Sequence, residues 1–141
     1  MSKYFVSLML VVFAFMSCGN DEEFLTIDEY IAANNLTTQV TPSGLHYIIK
    51  QQGTAPNPTI ASNVNINYNG FFLGGGSFDS GNDVTFGLSQ LILGWQEGLQ
   101  LIGSGGSITL LVPANLAYGS RGQGSIPGNT DIGFDIDLIG F

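Results

Sequence analysis

Apolar and polar residues alternate along several short segments of the chain, and this period of two is the pattern of a half-buried β-strand. The clearest examples are residues 64–69 and 132–138, in which every second side chain is apolar. Glycines, which favour turns, separate the segments, and the sequence contains 20 of them. A chain with this pattern folds more readily into an antiparallel sheet than into a bundle of helices.

The same pattern divides most of the chain into strands around one helix. Strands are predicted at residues 45–50, 64–69, 84–86, 108–112 and 132–138. In the last of these, Asp135 and Asp137 are expected to face water while the apolar residues face the core. Residues 93–101 place Trp95 and Leu99 at helical spacing and predict a short helix. We therefore predict an α+β fold in which an antiparallel sheet curls around one short helix.

A short N-terminal helix is predicted at residues 26–35. Its apolar residues recur at helical spacing, and Thr26 with Glu29 three residues later forms the pattern of a capping box. Residues 37–44 contain a proline and a glycine and are interpreted as a connector. We therefore expect residues 18–40 to be a tether with a short helix, and residues 41–141 to be the main domain.

Residues 1–17 have the features of a secretory signal. Lys3 precedes thirteen mostly apolar residues, a length typical of a signal (about 7 to 15) and too short for a membrane span (about 20). Cys18 follows directly and resembles the lipidated cysteine of bacterial lipoproteins. The resemblance implies a chain held at the lipid bilayer through acylated Cys18, in the bacterial cell envelope, periplasmic or surface-exposed. An ordinary signal peptide followed by an incidental cysteine is the alternative.

Charge and residue types exclude several classes of function. Three Lys and Arg residues against eleven Asp and Glu residues give a net charge of -8, so a nucleic-acid partner is not expected. One cysteine and one histidine cannot form a Cys/His zinc site, and we predict no metal and no cofactor. His46 alone, with no G-x-S-x-G turn, does not support a serine hydrolase. The chain is rich in aromatic residues and poor in ordinary catalytic groups.

Four segments in order carry a family resemblance: residues 67–70 (NYNG), 77–80 (SFDS), 91–99 (LILGWQEGL) and 116–119 (LAYG), the last followed by Ile126-Pro127 and Phe134-Asp135. Together they resemble the FKBP-type peptidyl-prolyl cis-trans isomerases over residues 41–141, and the preceding helix resembles that of bacterial lipoprotein members. The resemblance implies a half-barrel antiparallel sheet curled around one short α-helix. It also implies an apolar, aromatic pocket for proline.

The resemblance implies a role for each matching residue. The expected catalytic set is Trp95 as the pocket floor, Tyr68, Phe78 and Phe134 as aromatic walls, Tyr118 as a hydroxyl donor to a substrate carbonyl, and Asp79 as a carboxylate at the rim, with Tyr68 as its expected hydrogen-bond donor. The expected substrate-binding set is Val84, Phe86, Leu91, Ile92 and Ile126, and the backbone N–H of Ile126 is expected to hold a second carbonyl.

Three departures from the family pattern bear on sequence preference. Val84 stands at a wall position that is aromatic in many members. The loop at residues 119–129 is one residue shorter than usual, with Gln123 at a variable position and Gly128 in place of a second proline. The turn between Asp79 and Phe86 is interpreted as abbreviated.

The resemblance therefore implies a prolyl isomerase that assists the folding of secreted or envelope proteins. Its expected partners are proline-containing polypeptide segments, and a macrolide-type inhibitor is an expected pocket ligand. Two alternatives stay open. The groove could bind proline segments without turnover, as a binding module or holding chaperone. The aromatic residues could also be simply the core of a lipid-anchored scaffold.

Overall fold

A computed structural model of the protein describes residues 24–141. The predicted signal at residues 1–17 and Cys18 lie outside the described residues. The elements in chain order are α1 (Ile27–Asn34), β1 (Gln39–Val40), β2 (His46–Gln51), β3 (Asn63–Phe72), β4 (Ser77–Gly87), α2 (Leu93–Gly98), β5 (Ser107–Val112) and β6 (Ile132–Gly140). Short 3₁₀ turns lie at Leu88–Gln90, Leu99–Leu101 and Ala114–Leu116.

The strands form one six-stranded sheet in the order β1-β2-β5-β6-β3-β4, and every neighbouring pair is antiparallel. Alternation places one set of side chains on the face that packs against α2, which we call the inner face. In β6, Ile132, Phe134, Ile136 and Leu138 lie on that face and are buried. Asp135 and Asp137 lie on the opposite, outer face and are exposed. The predicted α+β fold is confirmed.

The edge of the sheet differs from the prediction. β4 runs through the segment that was interpreted as an abbreviated turn, and only residues 84–86 of it were predicted. It stays paired with β3 across two register shifts, and Asp83 adopts a left-handed conformation with φ of 54°. As an edge strand it lacks the clean alternation of a strand with one fully buried face, so the period-two pattern failed there. The predicted connector also contains the short strand β1.

α1 begins as predicted. The Thr26 hydroxyl accepts a hydrogen bond from the Glu29 N–H, and the Glu29 carboxylate accepts one from the Thr26 N–H, so both halves of the capping box are present. The Glu29 carboxylate accepts hydrogen bonds from both the N–H and the hydroxyl of Thr26, and these two bonds hold the pKa of Glu29 below its usual value. The helix packs on the outer face of the sheet, where it covers a small apolar cluster consisting of Ile27, Leu73 and Leu111 with Leu25, Tyr30, Ile31 and Phe71 around them.

α2 lies against the inner face and places Trp95. Trp95 and Leu99 are buried at the spacing that the sequence predicted, and the last turn of the predicted helix is a 3₁₀ turn. Gly94 and Gly98 face β5, and a Cβ on either would lie 2.5–2.6 Å from the side chains of Val112 or Leu110. The two glycines therefore let the helix approach the sheet closely, so that Trp95 enters the core.

Candidate active site

The inner face holds a hollow of about 150 Å³ that the core does not fill, and we call it the main hollow. Its lining consists of Tyr68, Asp79, Phe86, Leu91, Ile92, Trp95, Tyr118 and Phe134. All eight were singled out from the sequence, although they come from five separate parts of the chain. The fold therefore brings most of the expected site residues together.

Trp95 forms the bottom of the main hollow. It is 5% exposed, and its indole meets Phe134 and Tyr68 edge to face, with ring centroids 5.0 and 5.2 Å apart. Phe86 stands at 6.5 Å in a similar orientation. This geometry is the one that aromatic rings prefer, because the positive edge of one ring meets the negative face of another. Within residues 24–141 the indole Nε1 is buried and has no hydrogen-bond acceptor.

Gly70 makes room for the aromatic wall. A Cβ at this position would lie 2.7 Å from the Phe78 ring and 2.8 Å from the Phe134 ring, which meet edge to face at 5.5 Å. Both rings therefore need a residue without a side chain here. Gly70 belongs to the NYNG motif, but no role was expected for it. Its role could have been found from the sequence, because a glycine inside an alternating strand often marks a place where other groups approach the backbone closely.

A tyrosine and a carboxylate form the polar rim. The Tyr68 hydroxyl donates a hydrogen bond of 2.8 Å to Asp79 Oδ2, the pair that the sequence analysis expected. Burial, this hydrogen bond and the charge of Asp79 raise the pKa of Tyr68 to about 12. Burial and the charge of Asp79 also raise the pKa of Tyr118 above its usual value of 10.0. Both hydroxyls therefore keep their protons at neutral pH and can act as donors.

The backbone donor of the site differs from the expectation. The Ile126 N–H donates to the Gln123 carbonyl at 2.8 Å, and the Gln123 N–H donates to the Ile126 carbonyl at 2.8 Å. The Ile126 N–H is thus engaged inside its own loop. Ile92 lines the main hollow directly before α2, and its N–H donates no hydrogen bond to any described residue. Helix starts leave such N–H groups free, so the Ile92 N–H is a candidate backbone donor at the main hollow.

Three expected residues lie outside the main hollow. Phe78 and Ile126 line a second hollow of about 240 Å³, which we call the side hollow, together with Asp79, Tyr118, Gln123, Gly124 and Ser125. The two hollows share Asp79 and Tyr118, so they form one groove with two compartments. Val84 packs against the core and lines neither of them.

Neither a metal centre nor a membrane-spanning helix is found in the described part of the chain. Residues 24–141 hold no group of three or more His, Cys, Asp or Glu residues that could bind a metal ion. No helix among these residues is long and apolar enough to cross a bilayer. The candidate site in this part of the chain is an aromatic hollow with hydroxyl donors at its rim.

Comparison with known proteins gives the family. Residues 55–139 match the model of the FKBP-type peptidyl-prolyl cis-trans isomerases. The chain is 41% identical over 118 residues to the FKBP-type peptidyl-prolyl cis-trans isomerase FkpA of Aeromonas hydrophila, a match that covers 79% of this chain and 44% of the relative. It is also 36% identical to the outer membrane protein MIP of Legionella longbeachae, over 99% of this chain and 63% of that protein. This chain belongs to the FKBP-type peptidyl-prolyl cis-trans isomerase family.

Solved structures agree with this assignment. The crystal structure of FkpA from Escherichia coli superposes with a TM-score of 0.74 at 34% identity, over 79% of this chain and 55% of that one. A peptidyl-prolyl cis-trans isomerase from Pseudomonas syringae superposes with a TM-score of 0.72 at 28% identity, over 79% of this chain and 87% of that one. The predicted family and its half-barrel fold are thus confirmed. The chain spans less than half the length of the Aeromonas relative.

Proposed function

We propose that this domain is a peptidyl-prolyl cis-trans isomerase that assists protein folding. The observation that carries the proposal is the main hollow: an aromatic compartment of about 150 Å³ with Tyr118, Ile92 and Asp79 at its edge. Family membership supports the same activity. The chemistry requires no nucleophile, which agrees with the scarcity of ordinary catalytic groups in the sequence.

The barrier to be lowered is rotation about the X-Pro imide bond. It amounts to about 18–20 kcal/mol, because C–N resonance is lost when the bond twists. The planar imide is the more polar state and is better hydrated than the twisted one. A water-poor hollow therefore favours the twisted state, which is a form of catalysis by desolvation. Lowering the barrier by roughly 6 kcal/mol would raise the rate about 10⁴-fold.

The apolar and the polar residues of the site would have different roles in this catalysis. Trp95, Phe134 and the rings around them would hold the proline ring and exclude water. The Tyr118 hydroxyl and the Ile92 N–H would hold the carbonyls that flank the proline, so that one side of the imide stays fixed while the other turns. Asp79 accepts the Tyr68 hydroxyl at 2.8 Å, which orients the wall and places a negative charge beside the twisting bond.

A refolding assay tests this proposal. The substrate is a protein whose refolding is limited by a native cis-proline, a step that takes about 10–100 s without a catalyst. We expect the domain to accelerate this step and a macrolide-type ligand of the main hollow to abolish the acceleration. Tyr118→Phe should reduce the activity, whereas Tyr47→Phe, which removes an exposed hydroxyl bonded to Gln39, should not. Tight peptide binding without acceleration would favour a binding module or holding chaperone instead.

We also propose that the chain acts in the cell envelope as a lipoprotein anchored through Cys18. Residues 1–17 would be removed as a signal, residues 18–40 would be the tether with its helix, and residues 41–141 would be the isomerase domain. The name of the Legionella relative, an outer membrane protein, supports this location. Its clients would then be proline-containing segments of secreted or envelope proteins.

Fractionation tests the anchor. Cys18→Ala should move the protein from the membrane to the soluble fraction, and Ser17→Ala, which keeps the thiol and a small residue before it, should leave it in the membrane. Release of the unaltered protein into the soluble fraction would instead indicate an ordinary signal peptide and an incidental cysteine.

A further inference from the structure

The side hollow extends the groove beyond the compartment for proline. Because it shares Asp79 and Tyr118 with the main hollow, a residue next to a proline held in the main hollow would enter the side hollow. The side hollow encloses about 240 Å³, which is more than the main hollow. A long side chain can therefore be accommodated there.

The lining of the side hollow combines apolar surface with one negative charge. Phe78 and Ile126 offer apolar contacts, Gln123 and Ser125 are neutral, and Asp79 is the one charged residue in the lining. Asp79 Oδ2 accepts the Tyr68 hydroxyl, while Oδ1 accepts no hydrogen bond from any residue between 24 and 141. A carboxylate has about four acceptor sites, so this group can accept further donors.

The described basic side chains do not neutralise this charge. Lys50 forms an ion pair with Asp135 at 3.2 Å on the outer face. Arg121 lies on the same loop as Gln123 but does not line the side hollow, and it forms no ion pair with a described residue. The net charge of the whole chain, -8, adds to the attraction for a cation.

We propose that the side hollow binds a lysine or arginine side chain next to the substrate proline, so that the enzyme prefers basic residues at that position. The aliphatic stem would lie on Phe78 and Ile126, and the cationic end would donate to Asp79. This inference rests on the proposed isomerase function and specifies its substrates.

A series of short peptides tests the preference. Each contains one proline with lysine, norleucine, glutamine or glutamate either directly before or directly after it, and kcat/KM is measured by NMR exchange. Exposed ion pairs contribute modestly, so we expect lysine to exceed norleucine roughly threefold at low salt in one of the two positions, and glutamate to fall below glutamine by a similar factor. Both ratios should approach one at high salt.

Charge variants of the loop locate the effect. Ser125 is exposed and lines the side hollow, so Ser125→Lys should invert the lysine-to-norleucine ratio and Ser125→Glu should increase it. Ser120 is exposed on the same loop outside the side hollow. Ser120→Lys changes the net charge equally and should alter the ratio much less. Fluorescence of Trp95 checks that each variant is folded.

The outcomes separate this inference from the proposed function. If the norleucine peptides are not isomerised at all, the proposed function fails. If norleucine peptides are isomerised but lysine gives no advantage in either position, only the preference is overturned. An equal response to Ser125→Lys and Ser120→Lys would also overturn it, because the effect would then come from net charge and not from the side hollow.

Discussion

The two faces of the sheet each carry an aromatic and aliphatic cluster, and they differ in what covers it. On the outer face, Phe71, Leu73 and Leu111 lie under α1, a helix of the same chain. On the inner face, α2 covers most of the core but leaves the main hollow open, with Trp95 and Phe134 in its lining. Aromatic residues alone therefore do not mark a site in this protein. The candidate site is the cluster that the chain leaves uncovered, with hydrogen-bond donors at its border.

The carboxylates beside the two clusters differ in whether all their oxygens accept hydrogen bonds. Beside α1, both oxygens of Asp131 are engaged: Oδ2 accepts the Ile27 N–H at 3.3 Å, and Oδ1 accepts the Ala114 N–H at 3.0 Å. Asp131 thus ties α1 to the segment that follows β5. At the main hollow, Asp79 keeps an oxygen free and Tyr118 donates to no described residue. The Asp131 carboxylate thus connects two segments of the chain, whereas the Asp79 carboxylate keeps an acceptor oxygen at the candidate site.

The largest expected difference between the two faces comes from removing one ring on each. Phe134 is 3% exposed, so Phe134→Ala should cost about 3–5 kcal/mol of unfolding free energy and lower kcat/KM more than tenfold. Phe71 is only partly buried, so Phe71→Ala should cost less and leave kcat/KM within about twofold. Urea unfolding and peptide isomerisation measure both effects.

A conservative variant shows whether Phe134→Ala loses activity only because it loses the fold. Phe134→Leu keeps most of the buried volume and should retain the fold, while the edge-to-face contact with Trp95 at 5.0 Å is lost. Full activity in this variant would show that the aromatic wall is not needed for turnover. A large loss of activity in Phe71→Ala would show that the two faces are not independent.

Two glycines, one on each face of the sheet, allow the two faces to be compared by adding a single methyl group. Gly70 faces the rings of Phe78 and Phe134, and Gly133 faces the ring of Phe71 on the other side of the sheet. A methyl group at either position should displace a ring and cost about 1–3 kcal/mol, as overpacking commonly does. We expect Gly70→Ala to lower kcat/KM and Gly133→Ala to leave it nearly unchanged. Equal losses of activity would mean that stability, and not the shape of the wall, controls turnover.

The hydrogen bonds of Asp131, which connect α1 to the segment after β5, can be tested by substitution. Asp131→Ala leaves the Ile27 and Ala114 N–H groups without their acceptor and should lower the unfolding free energy by about 1–3 kcal/mol. Hydrogen exchange should lose protection at these two amides first. Asp137→Ala is the matched control, because Asp137 is exposed and bonds only the Ser107 hydroxyl. If both variants lose the same unfolding free energy, the two hydrogen bonds of Asp131 contribute no more than an exposed carboxylate does.

The sequence predicted the features that depend on neighbouring residues. The capping box of Thr26 and the alternation of β6 are local patterns, and the structure has both. The family resemblance supplied the members of the main hollow, which no periodicity could have brought together. Strand β4 was missed because this edge strand lacks clean alternation, and the role of Gly70 was missed because it depends on how the rings of Phe78 and Phe134 pack against it. The Ile126 N–H was misjudged because a bridge across its own loop engages it.

The smallest expected effect is the response of the two faces to pH. Burial, the hydrogen bond to Asp79 and the charge of Asp79 together raise the pKa of Tyr68 to about 12, against 10.0 for a free tyrosine. The stability that is linked to this raised pKa is therefore fully present below pH 10 and is lost as the pH rises through 12. Because neither Tyr68 nor Tyr118 ionises near neutrality, these hydroxyls should cause no change in kcat/KM between pH 6 and 9.

Unfolding in urea at high pH measures this contribution. Between pH 10 and 12 the unaltered protein should lose more stability than Tyr68→Phe, which lacks the titrating group. Tyr30→Phe is the control on the outer face, where burial and the charge of Asp135 also raise the pKa of the tyrosine but no hydrogen bond to a carboxylate is made. It should change the pH dependence less than Tyr68→Phe. An equal change in both variants would mean that burial, which occurs on both faces, determines the pH dependence of stability. The hydrogen bond from Tyr68 to Asp79 would then contribute little.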